Sequence, residues 1–246
     1  MESLRQKLYL PSINGNTLKL IAVITMFIDH IGAVLIENGV LGGPYNIDFT
    51  VINASAALGR WWSVDQILRG IGRVSFPIYC FLLVEGFLHT RDVKRYGMRL
   101  LAFSLISETP FDLAVFQKPF YLGYQNVFFT LLLGLVALWG LGRRNESLPK
   151  SAAVVAVCCG AAWLLKTDYD MIGVCLIVLF YMAKRNEQIW MVLAVLLLCW
   201  EPPAAFSLIL IAMYDGTRGS GRWKYWFYGF YPVHLLALWG IGQCLF

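Results

Sequence analysis

The chain has 246 residues, 59% of them hydrophobic and only 14% charged, with a formal net charge of +5 and a mean hydropathy of +0.63. An apolar excess of that size fits an all-α integral membrane protein. The long apolar runs are continuous, not alternating, which excludes a porin-like barrel.

Residues 1–17 carry polar groups, Pro11 and no small-residue cleavage pattern, so the first apolar run is expected to be a retained helix and not a removed signal peptide. That run, LKLIAVITMFIDHIGAVLIENG over 18–39, is long enough to cross a bilayer. Asp29 and His30 sit in its middle. A charge at helix mid-depth costs roughly 2.5–3.5 kcal/mol, so such groups face a bundle interior or a wet cavity. Segment 40–65 is mixed and rich in Gly and Asn, and reads as a loop with an amphipathic piece around Ala54–Trp62. Further spans are expected at 66–89, 93–116, 124–141, 151–166, 169–183, 187–200, 203–214 and 226–245, about nine in all. They form one polytopic transmembrane helix bundle over 1–246, with no second soluble domain, low-complexity linker or solenoid repeat. The 203–214 segment could be tilted, re-entrant or fused with its neighbour across Pro202–Pro203.

Loop charge sets the orientation. The connections sharing a side with the N-terminus hold Arg5, Lys7, Arg91, Lys94, Arg95, Arg99, Arg143, Arg144, Lys150, Lys184, Arg185, Arg218, Arg222 and Lys224, and the opposite side holds Arg60, Lys118 and Lys166. Fourteen against three places the N-terminus in the cytoplasm and the C-terminus outside, in a bacterial-type inner membrane. The intramembrane polar residues then sort into two strata. The outer one holds Asp29, His30, Arg73, Glu108, Asp112 and Asn126, with Asp168 and Tyr169 in a loop at that side and His234 near mid-depth. The inner one holds Lys19, Glu85, His89, Arg91, Lys94, Arg95 and Arg99.

Lys19 and His30 are eleven residues apart, three helical turns, which returns them to within about 20° of one face and separates them by about 16 Å. Asp29 points about 100° away from His30, so a carboxylate from another helix, Glu108 or Asp112, is the better partner for the imidazole. Those two lie one turn apart around Pro110, which should kink or end its helix. With Arg73 they could equally form a structural ion-pair network. Glu85 and His89, at i and i+4, could bond to each other, and His234 could be a core hydrogen bonder as readily as a catalyst. The run HTRDVKRYGMR suits an inner headgroup region, where it would bind anionic membrane lipid or dock a phosphorylated donor such as coenzyme A. The six cysteines lie in apolar runs without a CxxC, so neither disulfides nor a metal site is expected. Walker, GxGxxG, GxSxG and HExxH motifs are absent, and nucleic acid is not an expected partner.

The blocks LKLIAVITMFIDHIG, GRVSFPIYCFLLVEGFLHT, RLLAFSLISETPFDLAVF, QNVFFTLLLGL and FYPVHLL resemble, in order from about residue 17 to 237, the TraX family. Its namesake acetylates the N-terminus of conjugative pilin. The family is thought to be related to the type 3 membrane acyltransferases, whose first helix carries a basic residue, ten intervening residues and a histidine. Lys19 and His30 reproduce that spacing, with Lys where Arg is commoner.

The resemblance implies acetyl transfer from acetyl-CoA to an amine or hydroxyl acceptor on a pilin-like peptide, glycan or lipid. Such chemistry needs a base, donors for a developing oxyanion and a hold on the donor. On that reading His30 is the base, Glu108 or Asp112 sets its tautomer, and Arg73 and Asn126 face the carbonyl oxygen. Lys19 and the 91–99 cluster hold the nucleotide phosphates. Two rivals stay open: a proton-coupled transporter or flippase using the same buried groups as a relay, and a non-catalytic assembly factor binding pilin or another apolar peptide.

Overall fold

The computed structural model describes residues 11–43, 50, 52, 55–142, 148–219 and 224–246. Arg5, Lys7, Arg143, Arg144 and Arg222 lie outside the described residues, as does the side chain of Lys224. Within them the ordered structure is helical, with two isolated β-bridges and no strand.

Helix α1, Gly15–Ile31, starts where the Asn14 side chain accepts from the N–H groups of Asn16 and Thr17. It continues without a break as a π-helix over Gly32–Val40. A π segment adds a residue per turn and is frequently found at functional sites; here it begins two residues after His30. Helix α2, Ala56–Gly72, is capped by Ser55 and is followed by α3, Ser75–His89. Of the amphipathic piece expected at Ala54–Trp62, residues 56–62 open α2 and Ala54 lies outside the described residues, and the apolar run 66–89 is two helices and not one. Pro77 supplies the reason: having no N–H, it cannot bond the Arg73 carbonyl one turn back, so the ladder fails there.

Helix α4, Val93–Phe116, starts at an Asp92 cap and runs through Pro110 without ending there. It stops at Gln117, which adopts a left-handed backbone at φ 56°. The carbonyls of Ala114 and Val115 are met by the Asn38 side chain at 2.8 and 3.0 Å. There follow α5, Val127–Leu141; α6, Leu148–Leu165; α7, Asp170–Ala183; and α8, Gln188–Trp200. A 3-10 turn at Pro202–Ala205 leads into the short α9, Phe206–Ala212, and α10, Lys224–Leu245, closes the bundle.

Helix α3 is the central element: Phe76, Ile78, Cys80, Phe81, Leu83 and Val84 are all buried. It packs on α1, α5 and α7, while α10 lies along α4 and reaches α1 and the π segment. The outer surface is apolar. Val157 is 71% exposed, Met191 70%, Val233 65% and Leu105 62%, all on helices. So broad a spread of bare apolar side chains is foreign to a water-facing surface. Two stretches, Gly15–Val40 and Ala56–His89, are long and apolar enough to cross a membrane, and five further apolar helices have 10–17 residues.

Two backbone clamps fix the ends of the bundle. At the near end, where α1 begins, Ile13 pairs with Tyr214, Ile13 N–H donating to the Met213 carbonyl at 2.9 Å. At the far end Gln125 pairs with Thr167; Gln125 N–H donates to the Lys166 carbonyl at 3.1 Å, and the Gln125 carbonyl accepts from Asp168 N–H at 2.8 Å.

Candidate functional site

The geometry starts from two imidazoles on different helices. His30 Nδ1 lies 2.9 Å from Nε2 of His234, which comes from α10, 204 residues on. His234 Nδ1 is 2.8 Å from the Phe230 carbonyl, which can only accept, so Nδ1 of His234 carries its proton. Nε2 of the neutral His234 is therefore an acceptor, and His30 Nδ1 is the donor. The lone pair of the pair then resides on His30 Nε2. Phe230 stacks on His234 with centroids 4.7 Å apart, and Phe27 meets it edge-on at 5.9 Å, which fixes the ring plane.

The partner that sets the His30 tautomer is thus His234, not Glu108 or Asp112. Both acids serve the α4–α5 junction. Glu108 Oε2 accepts from the Asn126 side chain and, at 3.4 Å, from its N–H. Asp112 Oδ2 accepts from Tyr121 N–H at 2.7 Å. Asn126 caps α5 through its Oδ1 at 3.0 Å from Phe128 N–H, and its Nδ2 reaches Glu108 and the Ser104 carbonyl. Both amide hydrogens are engaged, so Asn126 is a helix clamp and not a donor held ready for a substrate oxygen.

Asp29 belongs to a separate ionic cluster. Its Oδ2 is 2.5 Å from Arg69 Nη1, and Arg69 Nε lies 3.3 Å from Glu37 on the π segment. Gly72 and Gly32 allow this approach: a Cβ at Gly72 would overlap Asp29, and one at Gly32 would sit 2.8 Å from Asp65. Arg73, the expected neighbour of the acids, pairs instead with Glu201 at 3.0 Å. The outer stratum nonetheless gathers electrostatically, since Asp168 and Tyr169 feel Asp29, Arg69 and Arg73. Asp168, in the loop before α7, accepts from Tyr124 Oη at 3.1 Å, and burial pushes its carboxyl up to about 6. Its charged form thus weighs against the fold as pH rises through that value. Asp168→Asn should raise the unfolding midpoint clearly at pH 8 and much less at pH 4.5, measured by thermal scans in detergent. An equal shift at both pH values would rule this out.

A cavity of about 290 Å³ enters at the near end among Lys19, Glu85, His89, Arg99 and Arg218, and its walls deeper in include Met26, Leu83, Val127, Phe128 and Leu131. Tyr231 also lines it. This tyrosine meets the His30 ring edge-on at 5.9 Å and the His234 ring at 5.7 Å, and lies within electrostatic reach of Asp168 and Glu108. The chain of contact from the basic mouth to the imidazole pair therefore passes through Tyr231. Arg99 packs on Tyr96 at 5.4 Å, and its Nε is buried with no partner among the described residues. Lys19 lies over the Phe227 ring at 5.8 Å. Glu85 is neutralised at 2.5 Å by Lys184, while its neighbour His89 bonds chiefly to the Glu85 carbonyl at 2.8 Å. Of the inner stratum, Arg91, Lys94 and Arg95 are exposed and lie outside the cavity lining.

Three residues of this site escaped the sequence reading. Tyr231 stands three residues before His234 and so shares its helix face, a spacing visible in FYPVHLL. Arg69 lies in the expected span 66–89, where nothing local sets it apart. Arg218 looked like one loop charge among many.

Comparison with known proteins agrees with the blocks that led to the resemblance. The TraX family, described as TraX protein, matches residues 14–242. A relative, the probable fimbrial assembly protein FimC, serogroup H1, of Dichelobacter nodosus, is 29% identical over 249 residues, covering 90% of this chain and 92% of its own. No solved structure matches the chain. The chain is an apolar, all-helical membrane protein that belongs to the TraX family.

Proposed function

We propose that this protein is an integral membrane acetyltransferase that moves an acetyl group from cytoplasmic acetyl-CoA to an acceptor at the membrane or outer face. The single observation that carries the reading is the cavity whose mouth holds Lys19, Arg99 and Arg218 and whose lining includes Tyr231, packed on the His30–His234 pair. In this reading the chain crosses the inner membrane about nine times as one membrane domain, with the near end in the cytoplasm. The relative's name as a fimbrial assembly protein favours a pilin-like peptide as acceptor.

The residues fit such a donor. Cations and the unpartnered Arg99 N–H at the mouth suit phosphate oxygens. The apolar interior, at the small end of ligand-pocket volumes, suits a slender acyl-pantetheine arm with the nucleotide left at the mouth. Acetyl-CoA supplies the activated acyl group. His30 Nε2 takes the proton that the acceptor atom sheds as it bonds to the thioester carbonyl carbon, and returns it to the departing thiolate sulfur as the C–S bond breaks. His234 Nε2 accepts the Nδ1–H bond throughout and strengthens it while His30 is an imidazolium. The Tyr231 hydroxyl donates to the carbonyl oxygen as charge builds there.

The test is donor binding. Purified protein should bind acetyl-CoA in the micromolar range, about −7 to −8 kcal/mol, more weakly as salt rises. Arg99→Ala, Arg218→Ala or Lys19→Ala should each weaken binding at least fivefold, and Arg91→Ala, Lys94→Ala or Arg95→Ala less than twofold. Equal effects from both sets would mean a diffuse basic face that binds any polyanion. The rival reading, a non-catalytic assembly factor, is favoured by the relative's name. It predicts peptide binding with no loss of the acetyl group from acetyl-CoA.

A further inference from the structure

At the far end a second pocket, of about 620 Å³, lies between the 166–170 loop and the end of α8. Tyr124, Trp163, Tyr169 and Trp200 line it, with Thr167, Lys166 and Asp170 as its polar members and Leu164 and Ile172 completing it. We propose that this pocket is a binding site for a primary ammonium attached to an apolar residue, and that it is where the acceptor is held.

Four aromatic rings suit such a ligand twice over, their faces attracting a cation and their area covering an apolar group. Asp170 has one carboxylate oxygen on Met171 N–H at 2.7 Å, leaving the other to meet an ammonium. Thr167 is only 1% exposed, and its Oγ1 is buried with no partner, a donor and acceptor ready for a peptide group. An unmet buried hydroxyl is costly, and a bound ligand would remove that cost. The backbone here is strained as well: Lys166, Tyr169 and Asp170 have φ of 50°, 65° and 47°. The tyrosine, bulky and left-handed, is held in place by stacking on Phe76 at 3.6 Å.

The pocket also adjoins the chemistry. Its members Tyr124 and Tyr169, with Asp168 bonded to Tyr124, are all within electrostatic reach of Tyr231, the residue that lines the near-end cavity. The two cavities are therefore electrostatically coupled through Tyr231. Calling the ligand the acceptor rests on the acetyltransferase reading, in which the bound ammonium first releases one proton to water so that the free amine attacks; the binding itself does not.

The experiment is calorimetric titration of the full-length protein in lipid nanodiscs with Phe-Ala-Ala amide and with its N-acetyl form. The wild type should bind the free amine at least tenfold more tightly. Asp170→Asn should erase that preference, and Trp200→Ala and Thr167→Val should weaken the free amine at least fivefold, while acetyl-CoA affinity stays unchanged. Equal affinity of the two peptides for the wild type, which needs no variant to fold, would overturn the proposal. So would unchanged binding in Trp200→Ala and Trp163→Ala, which would make the aromatics a bilayer anchor only. Peptide binding without acetyl transfer would sink the acetyltransferase reading and leave this site standing. Transfer with wild-type KM in the pocket variants would sink the site and leave that reading standing.

Discussion

His30→Ala is expected to lower acetyl transfer at least a hundredfold while the protein remains folded and monodisperse. General-base catalysis by a positioned imidazole contributes typically about 10²–10⁴-fold, and the lone pair of the His30–His234 couple lies on His30 Nε2. His234→Gln is the informative companion. Its amide can still accept from His30 Nδ1, so activity should fall less than in His234→Ala, about tenfold against a hundredfold. The pH–rate profile should move with His234, because the group bonded to Nδ1 sets the basicity of Nε2. A purely structural role for His234 would change thermal stability and leave the profile of the surviving activity in place. Acetyl-CoA affinity should be near normal in all three variants, since neither imidazole lines the mouth of the cavity.

The largest effect on stability is expected at Arg69. It holds Asp29 at 2.5 Å and Glu37 at 3.3 Å, beside the fully buried Asp65. Asp29 Oδ1 and Asp65 Oδ1 already lack partners among the described residues, so the cluster has no spare donor to redistribute. Arg69→Ala strands the carboxylates that it neutralises, and removing one partner of a buried pair costs about 3–5 kcal/mol. The variant should give little monodisperse protein and a lower unfolding midpoint. Adding Asp29→Asn and Glu37→Gln should recover most of the loss, because the desolvation penalty falls with the charges. If Arg69→Ala alone is as stable as wild type, the cluster is solvated and the packing of α2 on α1 has been misread.

Much of the architecture was legible because apolar runs and their breaks follow length and proline rules. The span boundaries expected at 93–116 and 187–200 fall within a residue of α4 and α8. The break inside 66–89 was also written in the sequence, in Pro77, although a mean over apolar residues hides it. The clustering of Asp29, Arg73, Asp168 and Tyr169 at one depth was readable from position along the spans alone. Pairing was not. Depth places Asp29 level with either arginine, and only the rotation of α2 about its axis, fixed by the close approach at Gly72, chooses Arg69. Glu108 and Asp112 likewise lie at the right depth to serve His30, yet their helix turns them toward Asn126 and Tyr121. The His30–His234 contact joins residues 204 apart, and nothing local in the chain encodes it.

The most direct measurement uses sealed liposomes with the protein inserted, acetyl-labelled acetyl-CoA on the side of the Lys19–Arg99–Arg218 mouth, and Phe-Ala-Ala amide on the other side. The label should appear on the peptide amine across the bilayer, with unlabelled CoA thiol left behind, and this should be lost in His30→Ala. Label confined to the donor side, or transfer that persists without His30, would contradict the account.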